Sequence, residues 1–273
     1  MAYGIAGYGL LLLLHVMILP VWGHHNTQHV PEILQKVGLD QQLNAQIPLD
    51  LPFHDAAGKS VQLGDYFQDK PVILILAYFD CPNLCPLVLD GLVKAMRVVR
   101  LELGKDFDVM TVSINPRDTP ELATKAKEGY LNRYRGAHAA AGWHFLTGEQ
   151  EAIARLAQTV GFRYTYDPQQ KQYAHASGIM VLTPQGRVSR YFYGVEFSPR
   201  DLRLGLVEAS RHTIGSPIDQ LILMCYHYDP MTGQYSFIIL PSIRLAGLLT
   251  VAGLAMFMGV MIRRDRRRKT EVG

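Results

Sequence analysis

A continuous apolar run at residues 72–78, Val-Ile-Leu-Ile-Leu-Ala-Tyr, follows Pro71 and leads into Cys81-Pro-Asn-Leu-Cys85-Pro86. A run without polar alternation offers no solvent face, so it reads as a strand buried on both sides, as in a sheet covered by helices. Beyond the cysteines, apolar residues recur at helical spacing (Leu87, Val88, Leu92, Val93, Met96, Val99, Leu103), and Gly104 stops the pattern. The cysteine pair therefore stands where a buried strand hands over to an amphipathic helix. At i and i+4 the two sulfurs can approach one another across the first turn. Unpaired backbone N–H groups and the helix dipole at that end favour thiolate over thiol.

The rest of the chain extends this pattern. A second apolar run, residues 107–114, precedes Asn115-Pro-Arg-Asp-Thr-Pro120 and a further helical segment, so strand, helix, strand and helix alternate and a parallel sheet is implied. Residues 149–161 read as a third helix, 178–183 and 188–193 flank Pro184-Gln-Gly186 as a hairpin, and residues 200–212 close the domain as a helix. The predicted class is α/β: a thioredoxin-like fold at residues 47–214 with a central mixed sheet flanked by helices. A C-terminal transmembrane helix is predicted in addition.

Both chain ends point to a membrane. Residues 1–23, with five consecutive leucines from Leu10 to Leu14 before the polar run that begins at His24, have the shape of a signal peptide. Their start lacks Lys and Arg and the small-residue cleavage pattern is weak, so a retained N-terminal anchor is the alternative. Residues 24–46 form a leader. After the Gly215-Ser-Pro217 break, residues 215–236 form a connector and residues 237–262 a transmembrane helix, uncharged from Leu245 to Ile262 with Arg244 near its outer boundary, followed at once by the basic tail 263–273. The positive-inside rule makes that tail cytoplasmic, which leaves the body outside a bacterial cytoplasmic membrane, in the periplasm. Of the 27 Lys and Arg and 24 Asp and Glu, the tail holds a disproportionate share of the bases. The body is close to neutral, and nucleic acid is excluded as a partner.

Three cysteines do not make a disulfide-stapled scaffold; two of them, Cys81 and Cys85, make a site. Thiolates serve both metal binding and disulfide exchange. Two soft sulfurs with one imidazole suit three-coordinate Cu(I), whereas structural zinc takes four ligands. Among ten histidines, His175 is the best third ligand, because it immediately precedes the strand at 178–183, whose neighbouring loop can face the cysteine turn. A purely structural disulfide is the bland alternative in an oxidising compartment. Cys225, His227 and Met231 lie within seven residues of one another just ahead of the span and offer a secondary metal site. A Tyr-rich interfacial turn accounts for the same segment more simply. His144, beside Trp143, and His138 belong to packing or to the surface.

Three stretches, Tyr78-Phe-Asp-Cys81-Pro-Asn-Leu-Cys85-Pro86, Ser113-Ile-Asn-Pro-Arg-Asp118-Thr-Pro120 and His175 ahead of Ile179-Met-Val-Leu-Thr-Pro184-Gln-Gly186, resemble the signatures of the SCO/SenC family of cytochrome oxidase copper-assembly proteins. The resemblance covers about residues 47–212. It implies a thioredoxin-like fold, membrane anchorage and Cu(I) or Cu(II) held by Cys81, Cys85 and His175. It further implies service to the CuA site of cytochrome c oxidase subunit II, by copper delivery or by reduction of its cysteines. Three positions depart from the family pattern: Asn83, Asn115 and Ala174 stand where Asp is usual. The changes at 83 and 174 remove negative charge near the metal, which bears on redox tuning and docking and leaves the ligands intact. The anchor also lies at the C-terminus, where the family more often has it at the N-terminus.

Two functions from different classes follow. The first is a membrane-tethered periplasmic copper chaperone, supplied by a periplasmic copper donor or kept ready by a thiol reductant. The second is an enzyme, a thiol-disulfide reductase in which Cys81 attacks a substrate disulfide and Cys85 resolves the mixed disulfide. Dedicated oxidoreductases use Cys-x-x-Cys, so the extra residue here, with a histidine in reach, favours metal. An electron-transfer copper protein needs His and Met soon after the second cysteine, where this chain has Leu89 and Leu92. A peroxidase needs Thr or Ser and Arg around a single cysteine, and no such grouping surrounds Cys81.

Overall fold

The computed structural model describes residues 33, 36–82, 84–214, 228–229, 234–235 and 239–270. In chain order the elements begin with β1 (Gly38–Leu39), β2 (Pro52–His54), β3 (Ser60–Gln62), β4 (Val72–Ala77), α1 (Leu84–Val98), β5 (Asp108–Ser113), α2 (Pro120–Tyr134), α3 (Ala139–Gly142) and β6 (Trp143–Leu146). They continue with α4 (Gln150–Thr159), β7 (Phe162–Asp167), β8 (Gln172–His175), β9 (Gly178–Leu182), β10 (Val188–Tyr193), α5 (Pro199–Ser210), β11 (Tyr228–Asp229), β12 (Gln234–Tyr235) and α6 (Ile239–Thr270).

The main sheet has five strands in the order β10-β9-β4-β5-β6. Every residue of β4, β5 and β9 is buried, as the unbroken apolar run at β4 requires. β4 pairs in parallel with β5 from Val72↔Asp108 to Ala77↔Ser113, and β5 in parallel with β6. On its other edge β4 meets β9 antiparallel, and β9 forms the hairpin with β10. The sheet is thus mixed, helices flank it, and the arrangement is thioredoxin-like. Trp143, Phe145, Phe53 and Phe107 are among the largest fully buried side chains, and the Trp143 indole donates to Thr111 Oγ1 at 3.1 Å.

The helix starts follow the sequence closely. Thr119 caps α2 and Ser198 caps α5, each accepting a first-turn N–H, and each is followed by a proline at the first helical position, where its missing donor costs nothing. α1 departs at both ends from the span predicted between 87 and 103. It begins at Leu84, so Cys85 lies within the helix and Cys81 in the loop before it, and it stops at Val98, short of Leu103. Gly104, at φ +87, closes a later turn instead. Leu87, placed by periodicity among the core positions, is 56% exposed.

A second, three-stranded sheet in the order β1-β7-β8 was not legible in the apolar runs. Its strands alternate polar and apolar residues, with Tyr164↔His175 and Tyr166↔Tyr173 paired across β7 and β8. β1 lies in the stretch assigned to the leader, and residues 44–46 are also hydrogen-bonded into the domain, through Asn44 N–H to the Val188 carbonyl at 2.8 Å and a bridge of Gln46 with Arg187. A small hairpin of β2 and β3 completes the body. At the C-terminus, α6 contains a span, Gly247–Arg264, that is long and apolar enough to cross a membrane and is nowhere buried in the protein. It is the one such helix among the described residues.

Candidate metal centre

Cys81 sits in the loop between β4 and α1, and Cys85 is the second residue of α1. The loop is pinned from a distance. Asp118, only 7% exposed, accepts the Phe79 N–H and the Ser113 hydroxyl on Oδ2, each at 2.7 Å, while its Oδ1 accepts the Asn115 amide at 2.7 Å. A buried carboxylate with three donors is a firm anchor, because each donor answers a charge that would otherwise be desolvated. The chain therefore enters the cysteine turn in a fixed direction.

At the helix start the Cys85 backbone N–H points to Cys81 Sγ at 3.5 Å. Cys81 is half-buried and Cys85 is 3% exposed. The Cys81 thiol is pulled down to about 3, chiefly by the hydrogen bond with Cys85; hydrogen bonds with His175, Tyr78 and the Cys85 backbone act in the same direction, and burial opposes them. Cys85 moves the other way, pushed up by its bond to the Cys81 sulfur and by burial. The pair loses its first proton from the Cys81 side, and the remaining proton stays on Cys85.

His175 is the last residue of β8. Its Nδ1 lies 2.8 Å from the Ala176 carbonyl oxygen, which can only accept, so Nδ1 carries the hydrogen and Nε2 presents a lone pair. Nε2 lies 3.2 Å from Cys85 Sγ. The ring is held between Tyr78, edge-on at 6.1 Å between centroids, and Phe162 at 5.9 Å. One ligand atom from each of Cys81, Cys85 and His175 lies within 4.8 Å of the other two, and this is the one such cluster among the described residues. Two thiols and an imidazole, with the tautomer set by a backbone carbonyl, fit a soft monovalent cation in three-coordination.

The structure thus brings together the three residues singled out in the sequence. It also shows supporting residues to which sequence reasoning gave no role: Asp118, Tyr78, Phe162 and Tyr173, whose ring is 5.7 Å from Tyr78. Asp118 had one visible signal, a cluster of polar side chains at the end of a buried strand. His144 packs against Tyr66 at 4.4 Å, and His138 is exposed 3.6 Å from Glu102, in line with packing and surface roles. Cys225, His227 and Met231 lie outside the described residues.

The SCO1/SenC family model matches residues 40–207, a stretch that contains the whole centre. The chain belongs to the SCO1/SenC family. Among SCO1/SenC relatives, it is 25% identical over 132 residues to the mitochondrial SCO2 homolog of Bos taurus, a match covering 46% of each chain. It therefore spans less than half the length of that relative. A structure from Aquifex aeolicus VF5 superposes with a TM-score of 0.55 at 26% identity, covering 63% of this chain and 95% of the other. The SCO1/SenC family lipoprotein of Bacillus anthracis gives a TM-score of 0.51 at 18% identity, over 63% and 99%. At that identity the likeness concerns the fold.

Proposed function

We propose that this SCO1/SenC protein is a membrane-tethered periplasmic copper chaperone that binds Cu(I) or Cu(II) as cargo through Cys81, Cys85 and His175. Its service is assembly of the CuA site of cytochrome c oxidase, with subunit II as the recipient and a periplasmic copper donor or thiol reductant upstream. The observation that carries this reading is the convergence of two sulfurs and the unprotonated Nε2 of His175 within 4.8 Å. Three donors hold a soft ion while leaving an approach open for the recipient's ligands, so exchange needs no prior dissociation. The tether in this reading is the C-terminal span, with its basic tail in the cytoplasm and residues 1–23 as a signal peptide or N-terminal anchor.

Anaerobic Cu(I) titration of the detergent-solubilised chain, with X-ray absorption on the loaded form, tests the proposal. One copper per chain with two sulfurs and one nitrogen is expected, the nitrogen being lost in His175→Ala and stoichiometric binding in Cys81→Ser. Absence of tight binding in the wild type overturns it.

The asymmetry of the cysteine pair favours one second reading, a thiol-disulfide reductase. A half-buried low-pKa sulfur backed by a more deeply buried protonated one is the arrangement such an enzyme needs. Cys81 thiolate would attack a substrate disulfide, forming a mixed disulfide and releasing one substrate thiolate. Cys85, giving up its proton, would attack Cys81 Sγ to release the second, leaving Cys81–Cys85 oxidised and the substrate reduced. His175→Ala separates the readings: it weakens copper binding and leaves dithiol exchange largely intact if metal is the main cargo.

A further inference from the structure

Helices α1 and α5 pack side by side, and both turn an outward stripe to solvent that mixes basic and apolar residues. On α1 the stripe carries Lys94 and Val98, the latter 66% exposed, beside Arg97, which is exposed while its guanidinium also donates to the Arg133 carbonyl of α2. On α5 it carries Arg200, Arg203 and Leu204, the last 48% exposed, and Arg211 follows at the C-cap, about two turns further on. These positions recur at three and four residues, so each set shares one helix face. The acids on the two helices stand elsewhere or are engaged: Asp90 is held by Arg133, Glu208 lies 3.3 Å from Arg190, and Asp201 is in the first turn of α5, where the dipole favours it.

We infer that the α1/α5 face docks on the anionic phospholipid surface of the membrane in which α6 is anchored. Resting on the tethered reading above, the inference has two supports. Long cationic side chains flanking exposed Val and Leu are the composition of an interfacial helix face, the charges meeting headgroups while the apolar tips enter the boundary. The stripe is also close to the tether in sequence: Arg211 directly follows α5, and residues 211–238 alone separate α5 from α6. Docking in this way sets the height of the metal centre. The cysteines stand at the start of α1 and Val98 at its end, so a helix lying on the membrane holds the centre at the rim of the contact, open sideways to a neighbouring membrane protein.

The test uses the full chain in nanodiscs, with Val98, Leu204 or Arg155 replaced in turn by the photocrosslinker p-benzoylphenylalanine; Arg155 is exposed on α4 and outside the stripe. In phosphatidylcholine–phosphatidylglycerol discs, phospholipid adducts are expected at 98 and 204 and not at 155. They should fall about fivefold in pure phosphatidylcholine discs, or with Arg200→Glu, Arg203→Glu and Arg211→Glu combined. The change of lipid needs no mutation, so a misfolded variant does not weaken the test. Equal adducts at all three positions, no dependence on lipid charge, or adducts only to a second copy of the chain would overturn the inference while leaving the tether intact. A chain that fails to enter the discs would overturn the tether itself, and the docking with it.

Discussion

The carboxylate of Asp118 accepts the backbone N–H of Phe79 at 2.7 Å across 39 residues of sequence. It ties the loop after β5 to the two residues that precede Cys81, so the direction in which the first sulfur is presented depends on a side chain that is not a ligand. Asp118→Asn keeps an acceptor oxygen but replaces the other with a donor, facing either the Phe79 N–H and the Ser113 hydroxyl or the Asn115 amide. The expected cost is about 1–3 kcal/mol of stability, with Cu(I) affinity lowered about tenfold. Thermal unfolding and chelator competition read the two effects separately.

Tyr78 is buried, and its hydroxyl is one of the groups that hold the Cys81 thiol low. The bond with Cys85 is the larger influence on the Cys81 thiolate, and that of Tyr78 a lesser one in the same direction. Tyr78→Phe keeps the ring against His175 and removes only the hydroxyl. The midpoint of Cys81 alkylation against pH should move upward relative to wild type. An unchanged profile would mean that the hydroxyl does not reach the sulfur in solution.

His144, on the edge strand β6, gives the fold a pH dependence of its own. Burial, with smaller contributions from Lys127 and Lys70, holds its imidazole down to about 4, against an ordinary value near 6.5. A depressed basic group is neutral in the fold and charged in the unfolded chain between those values, so the unfolded state binds the extra proton. Stability is therefore full above about pH 6.5 and declines as pH falls towards 4, by about 1–3 kcal/mol. Urea unfolding at pH 7 and pH 4.5 should show the loss, and His144→Gln should remove most of this histidine's share of it.

Gly91 allows α1 to lie against the loop before α5: a Cβ there would stand 1.8 Å from the Val195 carbonyl oxygen. Backbone rather than a flexible side chain is in the way, so Gly91→Ala must displace the helix or the loop. A loss of about 2–3 kcal/mol is expected in chemical unfolding.

Ala174 stands where the family usually has Asp, next to His175 in sequence. Successive residues of a strand face opposite ways, and β8 pairs Ala174 with Thr165 and His175 with Tyr164. A carboxylate at 174 would therefore point away from the sulfurs. Ala174→Asp should change Cu(I) affinity by less than about threefold, since its charge acts from the far face through solvent. A larger change in competition titrations would show that the charge reaches the ion.

Most of the main sheet was legible because β4, β5 and β9 are buried on both faces and β9 and β10 flank Pro184-Gln-Gly186 as a hairpin. The three side chains of the candidate centre were legible too, the cysteines from their place at a helix start and His175 from its place ahead of a strand. What escaped was the support. β7 and β8 are half-exposed strands whose alternating tyrosines carry no continuous apolar signal, and β6 is only four residues long. The role of Asp118 depends on a contact 39 residues away, which no local pattern encodes.

The two sulfurs and the imidazole ride on different bodies: the cysteines follow the main sheet, and His175 ends a strand of the small one, joined to the main sheet through Ala176 and Ser177. The number of donors facing an ion is therefore governed by the seam between two hydrogen-bonded units. Phe162 of β7 belongs to the common core, and Leu39, Tyr164 and Tyr173 of the small sheet pack against it, so the spacing between sulfurs and imidazole is set by side-chain packing across the seam as much as by the two-residue link.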